Sequence, residues 1–302
     1  MTTRRRLLAA GAALAAVGTV PAQPAAPVAS RRVPSSGETL PCIGLGSWIT
    51  FNVGNDPPAL ASCAAVMSAF FAGGGRVIDS SPMYGSAQAT IGHGLAQLGG
   101  RAPVFAADKV WTGAGGRGAA QAEESRRRWG VARLDLLQVH NLLAWEAHLP
   151  LLLEMKAAGR VRHVGISTSE GRRHAEFARL MRSQPLDFVQ LTYNPLDREA
   201  EPRLLPLAAE RGIAVLVNRP FREGALLRAL ARHPLPGWAV SELGCDGWAQ
   251  LVLKYIVTHP AVTCAIPATT RVDHVRQNLG AGRGAMPDEA MRRRIAAHIA
   301  AL

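Results

Sequence analysis

Apolar and polar positions alternate in a regular way from residue 39 to the end of the chain. Short apolar runs predict β-strands, and longer segments with apolar residues three or four positions apart predict helices. The eight predicted strands are Thr39–Trp48, Arg76–Ser81, Val104–Trp111, Leu134–His140, Val161–Ser167, Asp187–Tyr193, Ile213–Asn218 and Val262–Pro267. The clearest helices between them are Ser86–Leu98, Gln121–Trp129, His148–Ala158, His174–Arg182 and Trp248–His259.

Strands that alternate with helices favour parallel βα units. Eight such units in residues 39–302 predict a single-domain α/β fold, a (β/α)₈ TIM barrel. An open doubly wound sheet is the competing topology, and it normally carries a GxGxxG motif after its first strand. Here the segment Gly44–Leu45–Gly46–Ser47–Trp48 continues without a third glycine, which favours the barrel.

The first 38 residues depart from this alternation. An arginine triplet at residues 4–6 precedes the apolar run Leu7–Val20, and small residues suited to cleavage follow at Val20–Pro21–Ala22. This order predicts an export signal over residues 1–22, of the twin-arginine (Tat) type. An ordinary secretory signal or an uncleaved anchor is the alternative. Residues 23–38 are Pro- and Ala-rich at their start and are predicted to be a linker.

An export signal implies a periplasmic or secreted protein whose N-terminus engages the Tat machinery, whereas a chain without such a signal would be cytoplasmic. The apolar run is shorter than the roughly 20 residues that span a bilayer, so no stable membrane insertion is expected after cleavage. The Tat route carries folded proteins, so a cofactor bound in the cytoplasm can be exported with them. Removing residues 1–22 takes away three arginines and no acid, which lowers the formal charge from +12 to +9.

The basic balance of the chain comes from arginine, because only three of its 34 basic residues are lysines. The arginines are scattered along predicted helices, with runs only at Arg126–Arg128 and Arg292–Arg294, and no nucleic-acid-binding motif accompanies them. Nucleic-acid binding is therefore not predicted. We also expect the protein to be a monomer. The four cysteines, Cys42, Cys63, Cys245 and Cys264, lack metal-site spacing, so no metal is predicted. Buried free thiols are expected, although export would allow an unspecified pair to oxidise.

Four residues of distinct chemistry lie at the carboxyl ends of neighbouring predicted strands, where TIM barrels place their catalytic groups. They are Asp79, Tyr84, Lys109 and His140. Lys109 is the most informative, because a chain that otherwise uses arginine places a lysine inside an apolar strand, and a buried lysine can change its pKa. Asp79 on the neighbouring strand is its natural ionic partner.

Each of these residues has a simpler structural interpretation when taken alone: a lysine or an aromatic ring at the barrel rim, an aspartate that caps a turn, a buried histidine. Together they suggest proton transfer. A nearby ammonium group lowers the pKa of a phenol, which would ease proton donation by Tyr84. His140 beside it can donate a hydrogen bond to a carbonyl oxygen that gains negative charge.

The segment Ile78–Asp79–Ser80–Ser81–Pro82–Met83–Tyr84–Gly85, followed by Ile91–Gly92, closely resembles the aldo/keto reductase signature. The resemblance covers residues 39–280. It implies that Tyr84 is the general acid, that Lys109 tunes it, that Asp79 holds Lys109, and that His140 orients the carbonyl group. It also implies hydride transfer between NADP, or alternatively NAD, and a small aldehyde or ketone.

The same resemblance implies cofactor contacts at the ends of several strands. They are Gly46, Ser47, Trp48, Ser167, Thr168, Gln190, Asn218, Arg219, Pro267, Ala268, Thr269, Thr270, Arg271, His274, Gln277 and Asn278. Backbone N–H groups at the start of the helix after the eighth strand favour an anion there. The predicted substrate pocket is lined by Trp48, Met83, Tyr84, Trp111 and His140.

Several positions depart from the common pattern of that family: Thr168 replaces an Asn, Gln88 an acid, Ala268 a Lys and His274 an Arg. The last two changes remove usual partners of the 2′-phosphate of NADP, and Arg271 is the candidate substitute. The seventh strand lacks the Tyr that often stacks on the nicotinamide, and the planar guanidinium of Arg219 is the candidate in its place.

Two other functional classes are alternatives to a carbonyl reductase. The first is a non-catalytic nicotinamide-binding barrel that acts as a redox-sensing or partner-binding subunit, and it would have no need of Tyr84. The second is a barrel that binds or hydrolyses carbohydrate, and it requires two opposed carboxylates. Asp79 is a candidate for one of them, and no convincing second carboxylate is present.

Overall fold

The computed structural model of this protein describes residues 26–302. An antiparallel hairpin, β1 (Ser30–Arg32) and β2 (Thr39–Pro41), precedes an eight-stranded parallel sheet in which spatial order follows chain order. The strands of this sheet are β3 (Leu45–Gly46), β4 (Val77–Asp79), β5 (Phe105–Val110), β6 (Leu134–Val139), β7 (Val161–Ser167), β8 (Phe188–Thr192), β9 (Ala214–Asn218) and β10 (Cys264–Ala265).

The two edges of the sheet meet, so the sheet closes into a barrel. Isolated parallel bridges pair Ile43 with Ala265 and Gly46 with Ala268. A glycine is required at this seam, because a Cβ atom at Gly46 would lie 2.7 Å from the carbonyl oxygen of Ile266. The predicted TIM barrel is confirmed.

Eleven α-helices occur in the described part of the chain, and most of them follow a barrel strand and pack outside it. They are α1 (Pro57–Ala72), α2 (Ala87–Gln97), α3 (Gly118–Trp129), α4 (Trp145–Ala157), α5 (His174–Ser183), α6 (Leu204–Glu210), α7 (Ala225–Leu230), α8 (Gly237–Ser241), α9 (Trp248–Val257), α10 (Val272–Gly280) and α11 (Glu289–Ala300). None of the helices in residues 26–302 is long and apolar enough to cross a membrane.

The N-terminal hairpin closes the end of the barrel opposite to the catalytic end. Its residues Val33 and Leu40 are fully buried and belong to the same apolar cluster as Phe105 and Phe188 inside the barrel. Glu38, which lies in the connection between β1 and β2, forms ion pairs with Arg162 and Arg76. The sequence interpretation differs from this in two ways, because residues from Ser30 onward form structure where a linker was expected, and the predicted strand Thr39–Trp48 is divided between β2 and β3. The predicted signal, residues 1–22, lies outside the described residues.

Strand alternation sets the chemistry of the barrel interior. Apolar residues fill its lower part, and a layer of buried polar side chains lies above them. These polar residues are Asp79, Lys109, Gln138 and Gln190. The alternate residues on the same strands, such as Ile78 and Val110, join the apolar cluster between barrel and helices.

Candidate active site

The centre of the polar layer is an ion pair between Lys109 on β5 and Asp79 on β4. The Lys109 Nζ lies 2.6 Å from Asp79 Oδ2 and 2.8 Å from Oδ1, and it also donates to the carbonyl oxygen of Ser80 at 2.7 Å. Gln190 Nε2 on β8 donates to Asp79 Oδ1 at 2.8 Å. Both charged side chains are buried, so each depends on the other for compensation of its charge.

Tyr84 lies above this ion pair, at the point where the strand β4 gives way to α2. Its ring centroid is 5.2 Å from Lys109 Nζ, 4.9 Å from the ring of Trp48 and 6.0 Å from the ring of His140. The structure therefore brings the four predicted catalytic residues together at one end of the barrel.

The protonation states of these groups follow from their burial and mutual charge. Burial lowers the pKa of Lys109, but the effects that raise it, of which the charge of the Asp79 carboxylate is the largest, outweigh burial, and the net pKa is raised. Burial raises the pKa of Tyr84, and the Lys109 ammonium opposes this without reversing it. Lys109 thus lowers the pKa of the phenol, as expected, but burial has the larger effect and the net pKa of Tyr84 is raised. At neutral pH Tyr84 carries its proton.

His140 is held by the end of the neighbouring strand. Its Nδ1 lies 3.0 Å from Ser167 Oγ on β7, and the same hydroxyl accepts a hydrogen bond from the backbone N–H of Asn141 at 3.1 Å. Burial, together with the Lys109 ammonium, lowers the pKa of His140 to about 3. His140 is therefore neutral at physiological pH and acts there as a hydrogen-bond partner, not as a cation.

The loop after β3 forms one wall of the site. Ser47 Oγ donates to the carbonyl oxygen of Asp79 at 2.8 Å, which ties the loop to β4. The N–H of Thr50 donates to the carbonyl oxygen of Trp48 at 2.7 Å, so Ile49 is the central residue of a three-residue turn. Ile49 has a φ of 64°, which is unfavourable for a β-branched residue, yet its side chain is 61% exposed.

One cavity of about 590 Å³ opens above these residues and extends along the barrel to the start of α10. Most of the predicted cofactor and substrate residues line it, together with Asp79. They are Gly46, Ser47, Trp48, Met83, Tyr84, His140, Gln190, Asn218, Arg219, Ala268, Thr269, His274, Gln277 and Asn278.

Six predicted pocket residues do not line this cavity. Ser167 is buried beneath His140, and Thr168 donates its hydroxyl hydrogen to the carbonyl oxygen of Arg172 at 2.6 Å. Trp111 is 41% exposed and lies beyond the cavity lining, because it follows the last residue of β5. The other three, at the α10 end, are Pro267, Thr270 and Arg271.

At the α10 end, Arg271 is engaged by a carboxylate. Its Nε lies 3.0 Å from Asp273 Oδ1 and its Nη2 lies 2.5 Å from Oδ2. Thr269 Oγ1 accepts from the N–H of Arg271 at 3.1 Å and lies 3.3 Å from His274 Nδ1. The arginine that the sequence offers to a phosphate group is thus already paired.

Three charged residues at the mouth of the cavity were not predicted from the sequence: Glu170, Arg172 and Glu223. Arg219 Nη1 lies 3.0 Å from Glu170 Oε1 and also contacts Glu223. Arg172 contacts Glu170 from the other side. Other cavity residues that were not predicted are Ile49, Thr50, Asn141, Ser169, Pro220, Phe221, Gly224, Leu227, Arg228, Ala249 and Ile266. Their position in loops after barrel strands is the signal that could have identified many of them.

The residues present fit a nicotinamide dinucleotide. The cavity is continuous from Tyr84 and His140 to His274 and Asn278, so a long ligand can reach both ends. Asn141, which lines the catalytic end, has a buried Oδ1 without a hydrogen-bond donor among residues 26–302. Such an acceptor suits the N–H group of a carboxamide.

Comparison with known proteins agrees with this geometry. The model of the aldo/keto reductase family matches residues 42–299. Methylglyoxal reductase YeaE of Escherichia coli (strain K12) is 28% identical over 253 residues, which represent 81% of this chain and 86% of that protein.

Two solved structures illustrate the shared fold. An aldo/keto reductase from Klebsiella pneumoniae, in complex with NADP and acetate, has a TM-score of 0.72 at 24% identity, and the match covers 87% of this chain and 93% of that one. The holo form of aldo-keto reductase AKR11C1 from Bacillus halodurans has a TM-score of 0.72 at 22% identity, with 90% and 96% covered. Because the family model spans most of the described residues, this chain belongs to the aldo/keto reductase family.

Proposed function

We propose that this protein reduces a small aldehyde or ketone with NADPH, and that Tyr84 is the general acid. The observation that carries the proposal is the arrangement of the catalytic end. A protonated Tyr84 lies between the buried Asp79–Lys109 ion pair and a neutral His140, and all of them adjoin one long cavity. Members of the family are NADP-dependent oxidoreductases that act on carbonyl groups, and this chain shares that reaction class.

In this proposal, one set of residues binds the cofactor and another transfers the proton. NADPH supplies the hydride when it is bound, and Asn141, Gln190 and the residues at the start of α10 are placed to hold it. The protein must supply the proton, and Tyr84 is the protonated group at the catalytic end. The Lys109 ammonium beneath the phenol stabilises the negative charge that remains on Tyr84 after the proton leaves.

His140 is proposed to orient the substrate. In this proposal the Ser167 hydroxyl, 3.0 Å from Nδ1, donates to it. The proton of the neutral imidazole then lies on Nε2, which can donate to the carbonyl oxygen. Such a donor strengthens its bond as the oxygen gains charge, and it therefore favours the transition state over the bound substrate.

The substrate side of the site is apolar and open. Trp48 and Ile49 are both partly exposed, and Met83 lines the cavity beside them. We propose a small aldehyde or ketone with an apolar substituent. The name of the Escherichia coli relative makes methylglyoxal the first compound to assay.

Oxidation of NADPH by the purified protein, followed with methylglyoxal and a panel of aliphatic and aromatic aldehydes, tests the proposal. Tyr84→Phe should reduce kcat by at least about a hundredfold and leave NADPH binding unchanged. Tyr193→Phe is the matched control, because this second buried tyrosine bonds Glu201 and Tyr255 away from the site. Equal turnover in wild type and Tyr84→Phe would overturn the assignment of the acid. NADPH binding with no turnover across the panel would favour the non-catalytic alternative.

We also propose export by the Tat route to the periplasm, with release of residues 1–22 and a monomeric product. The support is the order of the arginine triplet, the apolar run and the small residues in the sequence. Fractionation of cells that express the full chain, and the variant with both Arg4 and Arg5 changed to Lys, tests the route. Retention of the variant in the cytoplasm with export of the wild type is the expected result, and equal export of both contradicts it. Size-exclusion chromatography of the exported protein tests the monomer.

A further inference from the structure

Asp108 is a buried carboxylate outside the cavity, on β5 immediately before Lys109. Strand alternation turns it away from the barrel interior, toward α2 and α3. Its Oδ1 accepts from the backbone N–H of Lys109 at 2.7 Å. Its Oδ2 accepts from Gln88 Nε2 at 2.9 Å and from Trp129 Nε1 at 2.5 Å. In residues 26–302, no basic side chain lies within 4 Å of it to neutralise its charge.

The groups around Asp108 are arranged for an ionised carboxylate. All three of its partners are hydrogen-bond donors, and the Gln88 amide nitrogen is further fixed by Ser125 Oγ on α3 at 2.8 Å. An ionised carboxylate, which only accepts, satisfies all three donors at once, whereas a protonated acid would require the Gln88 amide to rotate and present its oxygen. Burial raises the pKa of Asp108 to about 6 against these donors, so the group is charged at neutral pH.

Two buried carboxylates thus contact Lys109: Asp79 binds its ammonium group inside the barrel, and Asp108 accepts from its backbone N–H behind the barrel wall. We propose that Asp108 is a positioning residue for Lys109, and that its negative charge opposes ionisation of Tyr84 from outside the active site. The other charged or titratable groups that face Lys109 are Asp79 from β4, Tyr84 above it and His140 at the end of β6.

The sequence departure at Gln88 agrees with this arrangement. Gln88 stands where the resemblance leads us to expect an acid, and its neutral amide donates to Asp108, which is the acid of this buried network. The network thus keeps one carboxylate but holds it on the strand that carries Lys109.

Direct titration of Tyr84 tests the proposal without any assay of turnover. Ultraviolet difference spectra between a protein and its Tyr84→Phe counterpart isolate the ionisation of this one phenol from those of Tyr193 and Tyr255. Asp108→Asn removes the charge with little change of shape, and it should move the Tyr84 midpoint to lower pH by on the order of one pH unit. Circular dichroism at each pH confirms that the variant stays folded.

Two further variants separate charge from structure. Trp129→Phe removes one donor and keeps the Asp108 charge, so it should lower stability and leave the Tyr84 midpoint unchanged. The double variant Gln88→Glu/Asp108→Asn moves the carboxylate to α2, farther from Lys109. The Tyr84 midpoint of this exchange variant should lie between those of wild type and Asp108→Asn. An unchanged midpoint in both Asp108 variants would overturn the proposal, and the exchange variant serves as the test where Asp108→Asn does not fold.

An activity measurement, which rests on the proposed function, gives a second readout. The pH at which kcat/KM for carbonyl reduction falls on the basic side should drop in Asp108→Asn in parallel with the Tyr84 midpoint. A shifted midpoint in a protein without turnover would support the role of Asp108 while it refutes the proposed reaction. A shifted midpoint with an unshifted rate profile would refute Tyr84 as the acid.

Discussion

The hydroxyl of Ser167 lies 3.0 Å from His140 Nδ1, so the end of β7 holds the imidazole at the end of β6. Sequence resemblance had assigned Ser167 to the cofactor, yet its side chain is fully buried and does not line the cavity. The contact determines which ring nitrogen of His140 is free to face the substrate. Ser167 therefore orients His140, and its contact with the cofactor stays a prediction.

Ser167→Ala should separate these two roles. We expect kcat/KM for the carbonyl substrate to fall by about tenfold, the cost of one hydrogen bond of about 1.4 kcal/mol, while the Kd of NADPH is unchanged. Steady-state kinetics and fluorescence titration with NADPH give the two values. Thr258→Ala is the control, because it removes a hydroxyl at the end of α9 that donates to the carbonyl oxygen of Lys254 and lies outside the site. A weakened Kd with an intact kcat would instead restore the cofactor role.

The pKa of His140 predicts acid sensitivity of the fold. The pKa is about 3 in the folded protein and about 6.5 in an unfolded chain, so between these values only the unfolded state gains the proton. Stability must then fall as pH is lowered below about 6.5. The contribution of His140 to the difference between pH 7.5 and pH 5.5 is about 1.4 kcal/mol.

Urea denaturation at these two pH values measures the effect. His140→Asn removes the titrating group, and the loss of stability on going to pH 5.5 should shrink by about 1.4 kcal/mol relative to wild type. His233→Asn is the control, since this histidine lies in the loop before α8 and outside the site. An equal loss in wild type and His140→Asn would show that His140 takes up its proton in the folded state.

The ion pair of Arg271 and Asp273 predicts how the protein treats the 2′-phosphate of NADP. A phosphate that uses Arg271 must compete with the Asp273 carboxylate, which is also exposed to solvent beside it. Asp273→Asn should therefore lower the KM for NADPH several-fold and leave the KM for NADH unchanged. Because both groups are exposed, the gain should diminish at high salt. Glu154→Gln, which removes an exposed acid on α4, should change neither value.

The barrel itself was predictable from the sequence because strand alternation and helical spacing are local patterns. Alternation also placed Asp79 and Lys109 on the inner face of neighbouring strands, where only each other's charge can compensate them. It failed at the ends of strands, where the backbone leaves the alternating geometry. Trp111 directly follows β5, is partly exposed, and is not among the residues that line the cavity to which it was assigned.

The remaining errors concern contacts between residues far apart in the chain. Nothing local indicates that Gln88, Asp108 and Trp129 meet behind the barrel wall, because they belong to three different elements. Glu170, which pairs with Arg219 from a different loop, was missed for the same reason. The choice of Arg271 between a phosphate and Asp273 depends on side-chain conformation, which composition and spacing do not specify.

Ile49 offers a test of strain at the substrate wall. A β-branched residue at a φ of 64° is destabilised by about 1–2 kcal/mol, and its exposed side chain recovers little of this by packing. Asn tolerates this conformation better, so Ile49→Asn should raise the free energy of unfolding by up to about 1 kcal/mol. The same change removes apolar surface from the cavity mouth, so KM should rise for aldehydes with large apolar groups and stay constant for methylglyoxal. Val240→Asn is the matched control, because Val240 is similarly exposed on α8 without a positive φ and should not be stabilised by the change. If Ile49→Asn lowers stability, packing of Ile49 outweighs its strain, and if KM is unchanged for every aldehyde, Ile49 has no bearing on substrate choice.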